Sequence, residues 1–267
     1  MIKIVVSGAC GRMGQAILKM IYEDRETSIC GGIDRKDHPL WGRDIGDALG
    51  IGQCGYSIVE HPSLLKETPN VIIDFSNPDF TMEIIRFGLD KKIPMVIGTT
   101  GFTKEQETYI ADISRDIAIL KSPNMSVGVN VFFKLIEEAS LLLGLDYDVE
   151  IIEAHHRLKK DAPSGTAKYI LNTIQIAREK LGAKSIPVYG REGQVGERRK
   201  EEISVLSVRA GDIVGDHTVI FGGSSERVEL THKAHTRENF AKGAVRAAKF
   251  LAKQKHGLYS MKDALGL

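Results

Sequence analysis

Five residues with chemistry to offer fall close together: His155, His156, Arg157, Lys159 and Lys160. They belong to the run Glu153-Ala-His-His-Arg-Leu-Lys-Lys-Asp-Ala-Pro-Ser-Gly-Thr166. Before it, Val149-Glu-Ile-Ile-Glu-Ala154 reads as a strand. After it, Ala167, Ile170, Leu171, Ile174, Ala177 and Leu181 recur at helical spacing. The cations therefore occupy a strand-to-helix loop. Asp161 or Ser164 can cap that helix, and Pro163 suits its approach. Backbone N–H groups near Gly165 and Thr166 then face outward at the end where the helix dipole favours an anion. Cationic side chains and a helix N-terminus together suit a small ligand carrying carboxylate or phosphate. A solvated basic loop is the plainer account of the same charges. The paired histidines favour the chemical one, because imidazole exchanges protons near neutral pH.

A second constellation opens the chain. The apolar run Ile2-Lys-Ile-Val-Val6 leads into Gly8-Ala-Cys-Gly-Arg-Met-Gly14, and Met13, Ala16, Ile17, Met20 and Ile21 follow at helical spacing. The next apolar run, Ile29–Ile33, ends at Asp34. Strand, glycine turn, helix, strand and acid form a dinucleotide-binding layout, here with G-x-x-G-x-x-G spacing instead of the commoner G-x-G-x-x-G. Asp34 can accept hydrogen bonds from an adenosine ribose, which favours NADH. Arg35 and Lys36 can pair with a 2′-phosphate, which favours NADPH.

The elements that must position these groups change character along the chain. Val71–Phe75, Ile93–Ile97 and Ile117–Leu120 read as strands buried on both faces, separated by helical stretches. Asn77-Pro-Asp79 and Thr103 with Gln106 mark helix starts. Such alternation predicts an α/β, doubly wound parallel sheet of Rossmann type, with ligands beyond the carboxyl ends of the strands. Those ends include Gly98-Thr-Thr-Gly101 and Ser122-Pro-Asn-Met125. Residues 37–69 give little periodic signal and read as loop. Val127, Val131, Leu135, Ala139 and Leu142 mark a long helix. Residues 203–208, 217–221 and 227–234, separated by glycine turns, read as antiparallel strands of a smaller α+β domain with a mixed or antiparallel sheet. A last helix, with Thr236 as its cap, carries Phe240, Ala244, Ala247, Ala248 and Leu251 on one face and returns to the first domain. The expected division is 1–126 with 236–267 for the dinucleotide, and 127–235 for substrate and assembly.

Composition excludes several classes. Of 267 residues 42% are hydrophobic and 27% charged, and the net charge is +1. That is an ordinary globular profile with no bulk attraction for nucleic acid. Cys10, Cys30 and Cys54 show no metal-ligand spacing, so no metal is expected, and they suit a reducing cytoplasm. A strand begins at residue 2, leaving no room for a signal peptide, and no apolar run suits a membrane span.

With these residues in view, the chain resembles the dihydrodipicolinate reductases, the 4-hydroxy-tetrahydrodipicolinate reductases of lysine and diaminopimelate synthesis. Glu153-Ala-His-His-Arg-x-Lys159 with Asp161-Ala-Pro-Ser-Gly-Thr166 is the most specific part. Gly8-x-x-Gly-Arg-Met-Gly14, Gly98-Thr-Thr-Gly101, Ser207-x-Arg-x-Gly-Asp212 and Glu229-Leu-Thr-His232 are similar too. The resemblance implies a reductase using NADH or NADPH on a dicarboxylate cyclic imine, assembled as a homotetramer. It implies that Gly8, Ala9, Cys10, Gly11, Arg12, Met13, Asp34, Arg35, Gly98, Thr99, Thr100, Ser122, Pro123, Asn124 and Met125 contact the cofactor. It implies His155 and Lys159 as the proton-transfer pair, and His156, Gly165 and Thr166 as substrate ligands. Asp34 stands where glutamate is common in the family, and Ala210 where glycine is. Two other readings share the dinucleotide motif: a different two-domain amino-acid dehydrogenase, and a sensor that binds NAD(P) without turnover. Neither gives a reason for His-His-x-x-Lys.

Overall fold

The computed structural model describes all 267 residues, which form two compact units. One comprises Met1–Val127 with Arg237–Leu267, the other Gly128–Thr236.

The first unit begins with β1 (Ile2–Ser7), α1 (Arg12–Glu23) and β2 (Thr27–Ile33). There follow α2 (Ile45–Leu49), β3 (Ile58–Val59), β4 (Val71–Asp74), α3 (Pro78–Lys91), β5 (Met95–Ile97), α4 (Lys104–Ile113) and β6 (Ala118–Lys121). The strands are parallel throughout. Alternate residues of each strand enter two different cores. Ile4, Val6, Val71, Ile73, Val96 and Leu120 pack on one side. Val5, Ile72, Met95, Ile97 and Ile119 pack on the other. A strand covered on both faces must be apolar at every position, which is why these segments read as continuous runs. Asn77 caps α3 and Pro78 opens it, and Thr103 and Gln106 close a reciprocal capping box on α4.

The stretch expected to be loop holds α2 and β3. Asp44 makes this possible: its carboxylate accepts from the backbone N–H of Gly46, Asp47, Cys54 and Gly55, so one side chain closes a whole turn.

The second unit contains α5 (Val127–Leu143) from its second residue on, β7 (Asp148–His155), α6 (Gly165–Lys180), β8 (Ile186–Val188), β9 (Glu202–Arg209), β10 (Gly215–Gly222) and β11 (Arg227–Ala234). Strand order is β11-β10-β7-β9-β8. β10 runs antiparallel to both neighbours, whereas β9 is parallel to β7 and to β8. The sheet is thus mixed, and Gly211-Asp212 is no hairpin turn. It lies on a crossover past the end of β7, where Ala210 N–H donates to the His155 carbonyl and Arg157 N–H to that of Gly211. The buried stripe of α5 is Val129, Phe132, Phe133 and Ile136. Val131, Leu135 and Leu142, whose spacing marks the helix in the sequence, are exposed, Leu142 by 82%. This helix is apolar on more than one side, so spacing alone does not select the covered face.

After β11 the chain re-enters the first unit with α7 (Glu238–Leu251), β12 (Gly257–Tyr259) and α8 (Met261–Leu265). Arg237, not Thr236, is the N-cap residue of α7. β12 pairs with β6 and completes the order β12-β6-β5-β4-β1-β2-β3. Gly243 lets α7 settle on the chain after β6, because a Cβ there would stand 1.7 Å from the Met125 carbonyl oxygen. No helix is long and apolar enough to cross a membrane.

Candidate active site

The helix-covered face of the second unit's sheet changes chemistry row by row. Val149 pairs with Ile203 and Phe221, and Ile151 with Val205 and Val219. These rows are the core under α5 and α6. The next row is Glu153, Ser207 and His217, with His232 opposite His217. The last is His155 with Arg209. Strand alternation places all of them on the core face, yet here the face is polar.

Glu153 is 0% exposed. Its Oε1 accepts from Arg209 Nη2 at 2.8 Å and from Ser164 N–H at 3.1 Å. Its Oε2 accepts from Arg209 Nη1 at 2.8 Å and lies 2.5 Å from His155 Nδ1. Burial pushes its pKa up, but the Arg209 guanidinium, His155, Ser207 and the Ser164 N–H outweigh burial and hold it at about 2. Burial lowers the pKa of His155, and Glu153 opposes that shift while Lys159 and Arg209 add to it. His217 packs edge-on against His155 at 5.2 Å between ring centroids. Burial, with His155 adding to it, brings His217 down to about 4.

Ser164 joins this cluster to α6. Its Oγ accepts from Ala167 N–H, capping the helix, and lies 3.1 Å from His217 Nε2. Asp161, the other candidate cap, instead pairs with Lys159 at 2.8 Å. Gly165 is the first helical residue and exposed, and no atom lies within 4 Å of where its Cβ would be. Thr166 follows it, half-buried. His156 is half-buried, and its Nδ1 is enclosed without a hydrogen-bond partner. A buried polar atom in that condition suits a ligand that brings the missing partner.

In the first unit a cavity of about 410 Å³ opens beyond the carboxyl ends of β1 and β4, where the strand order reverses. Gly8, Cys10, Gly11, Asp34 and Arg35 line it. So do His38, Phe75, Ser76, Asn77 and Phe80. Gly8 has φ +75°, and a Cβ on it would stand 2.4 Å from the Phe75 carbonyl oxygen. A Cβ on Gly14 would stand 2.1 Å from the Gly8 carbonyl oxygen, so α1 approaches the turn only as glycine allows. Gly11 caps α1 with no side-chain hydrogen bond, and no acid lies in the first turn. The helix end is therefore left for an anion. Asp34 accepts from Cys10 N–H at 2.7 Å and from Arg35 N–H at 2.9 Å, tying the glycine loop to the acid. These features fit a dinucleotide: a side-chain-free cradle, an uncapped helix end and an acid beside them.

Other residues expected at the cofactor are placed differently. Ala9 and Met125 are core residues, and Met13 packs against that core. Arg12 and Pro123 are exposed. Lys36 turns toward Glu60 and lies over the Trp41 ring, away from the cavity lining. Gly98, Thr99, Thr100, Ser122 and Asn124 do not line this cavity. Thr99 is tied to it indirectly: its Oγ1 accepts from Ser76 N–H at 3.0 Å and donates to Asp74 at 2.6 Å. Gly98 lies flat on Phe75, whose ring would be 2.2 Å from a Cβ there.

Comparison with known proteins decides the family. Residues 2–125 match the model of the dihydrodipicolinate reductase N-terminus and residues 128–265 that of the C-terminus. The chain belongs to the dihydrodipicolinate reductase family. It is 46% identical to the 4-hydroxy-tetrahydrodipicolinate reductase of Syntrophus aciditrophicus, over 100% of this chain and 99% of that one. Against the enzyme of the same name from Methanocaldococcus jannaschii identity is 44%, over 100% and 98%. A solved dihydrodipicolinate reductase from Paenisporosarcina sp. TG-14, with dipicolinate bound, shares the fold: TM-score 0.76 over 97% of each chain, at 24% identity.

Motif reading includes Glu153 and Arg209 but gives them no role, and it passes over His217 in the same unit and His38 and Asp74 in the other. For the first three a signal exists. Val149, Ile151, Glu153 and His155 occupy one face of a single strand, as do Phe221, Val219 and His217. A charge or imidazole that continues an apolar alternation must be buried and partnered.

Proposed function

We propose that the protein catalyses NAD(P)H-dependent reduction of 4-hydroxy-tetrahydrodipicolinate to tetrahydrodipicolinate, with loss of water, in lysine and diaminopimelate synthesis. The observation that carries this is the polar row ending β7, β9 and β10: a buried His155 beside the start of a helix whose first residue is an exposed glycine. Full-length identity to reductases of that name supports it.

Residues 1–126 with 236–267 serve as the dinucleotide domain and 127–235 as the substrate and assembly domain. Gly8, Cys10 and Gly11 hold the pyrophosphate against the end of α1, and Asp34 the adenosine ribose. Gly98–Thr100 and Ser122–Met125 shape the remaining wall. When bound, the dinucleotide supplies the hydride. Gly165 and Thr166 receive one substrate carboxylate at the start of α6, and His156 offers a polar contact to the ring or its second carboxylate. As negative charge builds toward the ring nitrogen, the Lys159 ammonium stabilises it and His155 exchanges the proton that completes reduction. Asp161 holds Lys159 at 2.8 Å until a substrate carboxylate competes for it.

Both NADH and NADPH serve. Asp34 supports the first and Arg35, at the cavity, the second. Lys36, engaged by Glu60 and Trp41, contributes less than its position in the sequence suggests. The enzyme is cytoplasmic and a homotetramer. Val205 and Val219 are buried under the helices, so assembly uses their neighbours on the sheet's other face: half-buried Ile152, Leu206 and Ile220, and Val208, 43% exposed. Light scattering that gives a monomer at micromolar concentration would reject this assembly.

The test is nicotinamide oxidation with substrate made by condensing pyruvate with aspartate semialdehyde. Wild type oxidises NADH only when substrate is present. Lys159→Ala lowers kcat by about 10²-fold or more, the scale of losing a positioned charge or acid, and leaves NADH affinity unchanged. A dinucleotide that binds and is never oxidised leaves the sensor reading in its place.

A further inference from the structure

We propose that Glu153 and Arg209 are positioning residues for the reaction: Glu153 takes the Nδ1–H of His155, leaving Nε2 as the nitrogen that takes up a proton from water and delivers it to the reduced ring, and Arg209 shares that carboxylate so that the ring is not locked as an imidazolium. The inference rests on the role given above to His155.

Geometry carries it. The Glu153 carboxylate is fully buried and receives four contacts on two oxygens: both Arg209 nitrogens at 2.8 Å, Ser164 N–H at 3.1 Å and His155 Nδ1 at 2.5 Å. The partner of Nδ1 is an acceptor, so the neutral ring must carry its proton there. Nε2 then has a lone pair. It projects toward β10, where residue 215 is glycine; a Cβ there would stand 3.1 Å from Nε2. Any larger residue at 215 would crowd the nitrogen that must exchange the proton.

Arg209 supplies the other half. A carboxylate facing an imidazole alone favours the charged ring and raises its pKa. Here the same carboxylate is already bound in a two-pronged contact by a guanidinium that stays charged throughout the working range. Every element packed against His155 contributes a group: Glu153 from β7, Arg209 from β9, His217 from β10 and Lys159 from the following loop. Of these only Glu153 favours the imidazolium. With Arg209 in place the ring stays neutral at pH 7, and lowering of its pKa agrees with this. The Arg209 Nη2 also donates to the Asp161 carbonyl at 2.7 Å, so one side chain sets both the ring and the loop that carries Lys159.

The test begins with wild-type enzyme labelled with ¹⁵N-histidine, His155 being assigned by its loss in His155→Asn. At pH 7 its Nδ1 should appear protonated and its Nε2 bare. The opposite tautomer overturns the proposal without any variant having to fold. Arg209→Met should then raise the His155 midpoint by about one unit or more, the scale of exposing it to an unshared carboxylate. The matching limb of the kcat–pH profile should move with it, KM for the imine changing less than kcat. Arg209→Lys, which keeps the charge and loses the fork, should recover part of the shift. An unmoved His155 midpoint in Arg209→Met refutes the sharing. A midpoint that moves while the kcat profile stays fixed upholds the positioning and removes His155 from proton transfer, so failure of the two readings is told apart.

Discussion

Two buried carboxylates anchor the two units, and they are held in opposite ways. Asp74 ends β4 and Glu153 lies near the end of β7, each 0% exposed. Around Asp74 are four hydroxyls and no cation. Ser7 and Ser76 donate to one oxygen, Thr81 and Thr99 to the other, at 2.6–2.7 Å. Those hydroxyls come from β1, from the turn after β4, from α3 and from the loop after β5, so Asp74 fixes where these segments leave the sheet. Around Glu153 are a guanidinium, an imidazole and one N–H, with a single hydroxyl, that of Ser207, beside them. Neutral donors orient, and they leave the charge undistributed. An ion pair distributes the charge and thereby sets how its neighbours titrate. The first arrangement suits a scaffold for binding, the second a site where a proton moves.

Breaking the ion pair should have the largest effect. Arg209→Met strands Glu153 without a cation in the interior and should cost about 3 kcal/mol or more in urea unfolding. A loss below about 1 kcal/mol would show that Glu153 protonates or finds water, and that the pair does not define this region. The pH dependence of stability is nearly as large. His217 titrates at about 4 when folded, against 6.5 ordinarily. A depressed folded pKa means that the unfolded chain binds the proton first. The stability contributed by neutral His217 is full above about pH 6.5 and is lost as pH falls toward 4, by about 3 kcal/mol. Thermal melts of His217→Gln should be flatter than wild type across that window. An unchanged slope would place the acid sensitivity elsewhere.

How much of this is legible beforehand follows from the same contrast. Strands buried on both faces announce themselves, and β1, β2, β4, β5 and β6 all stand where apolar runs predict them. β3 and β12, of two and three residues, are too short to show any period. The mixed sheet is harder still: nothing local says that β9 lies parallel to β7, because that pairing is set by a crossover and not by a turn. For the candidate sites, clustered motifs single out His155, Lys159 and the glycine turn. Glu153, Arg209 and Asp74 are brought to their partners by register, and those partners lie 2 to 67 positions away. Alternation flags Glu153 as buried, and a motif contains Arg209, but only the assembled sheet pairs the two.

On the Asp74 side the matching perturbation should be milder. Asp74→Asn keeps the shape but replaces an acceptor by a donor, so Thr81 and Thr99 must turn, although Thr99 Oγ1 already accepts from Ser76 N–H. Loss of these bonds should cost about 1–3 kcal/mol. NADH affinity should fall as well, since Ser76 lines the cavity. Lower stability with unaltered affinity would mean that the hydroxyl cluster supports the sheet and not the loop.

The smallest expected effect probes where the ion pair meets the helix. Ser164 is both the cap of α6 and a neighbour of the cluster: its N–H serves Glu153, while its Oγ serves Ala167 and lies beside His217 Nε2. Ser164→Ala keeps the N–H and removes the hydroxyl, so it should cost about 1 kcal/mol, the usual value of a lost cap. Ser164→Asp separates the two functions. Aspartate caps as well as serine in an ordinary helix, but here it would set a second carboxylate against Glu153 with Arg209 already shared. If Glu153 governs the region electrostatically, Ser164→Asp is less stable than Ser164→Ala, and the gap narrows as pH falls and the new acid protonates. If Ser164→Asp matches wild type at neutral pH, the start of α6 is governed by its own backbone, and the contrast between the two carboxylates stops at the sheet.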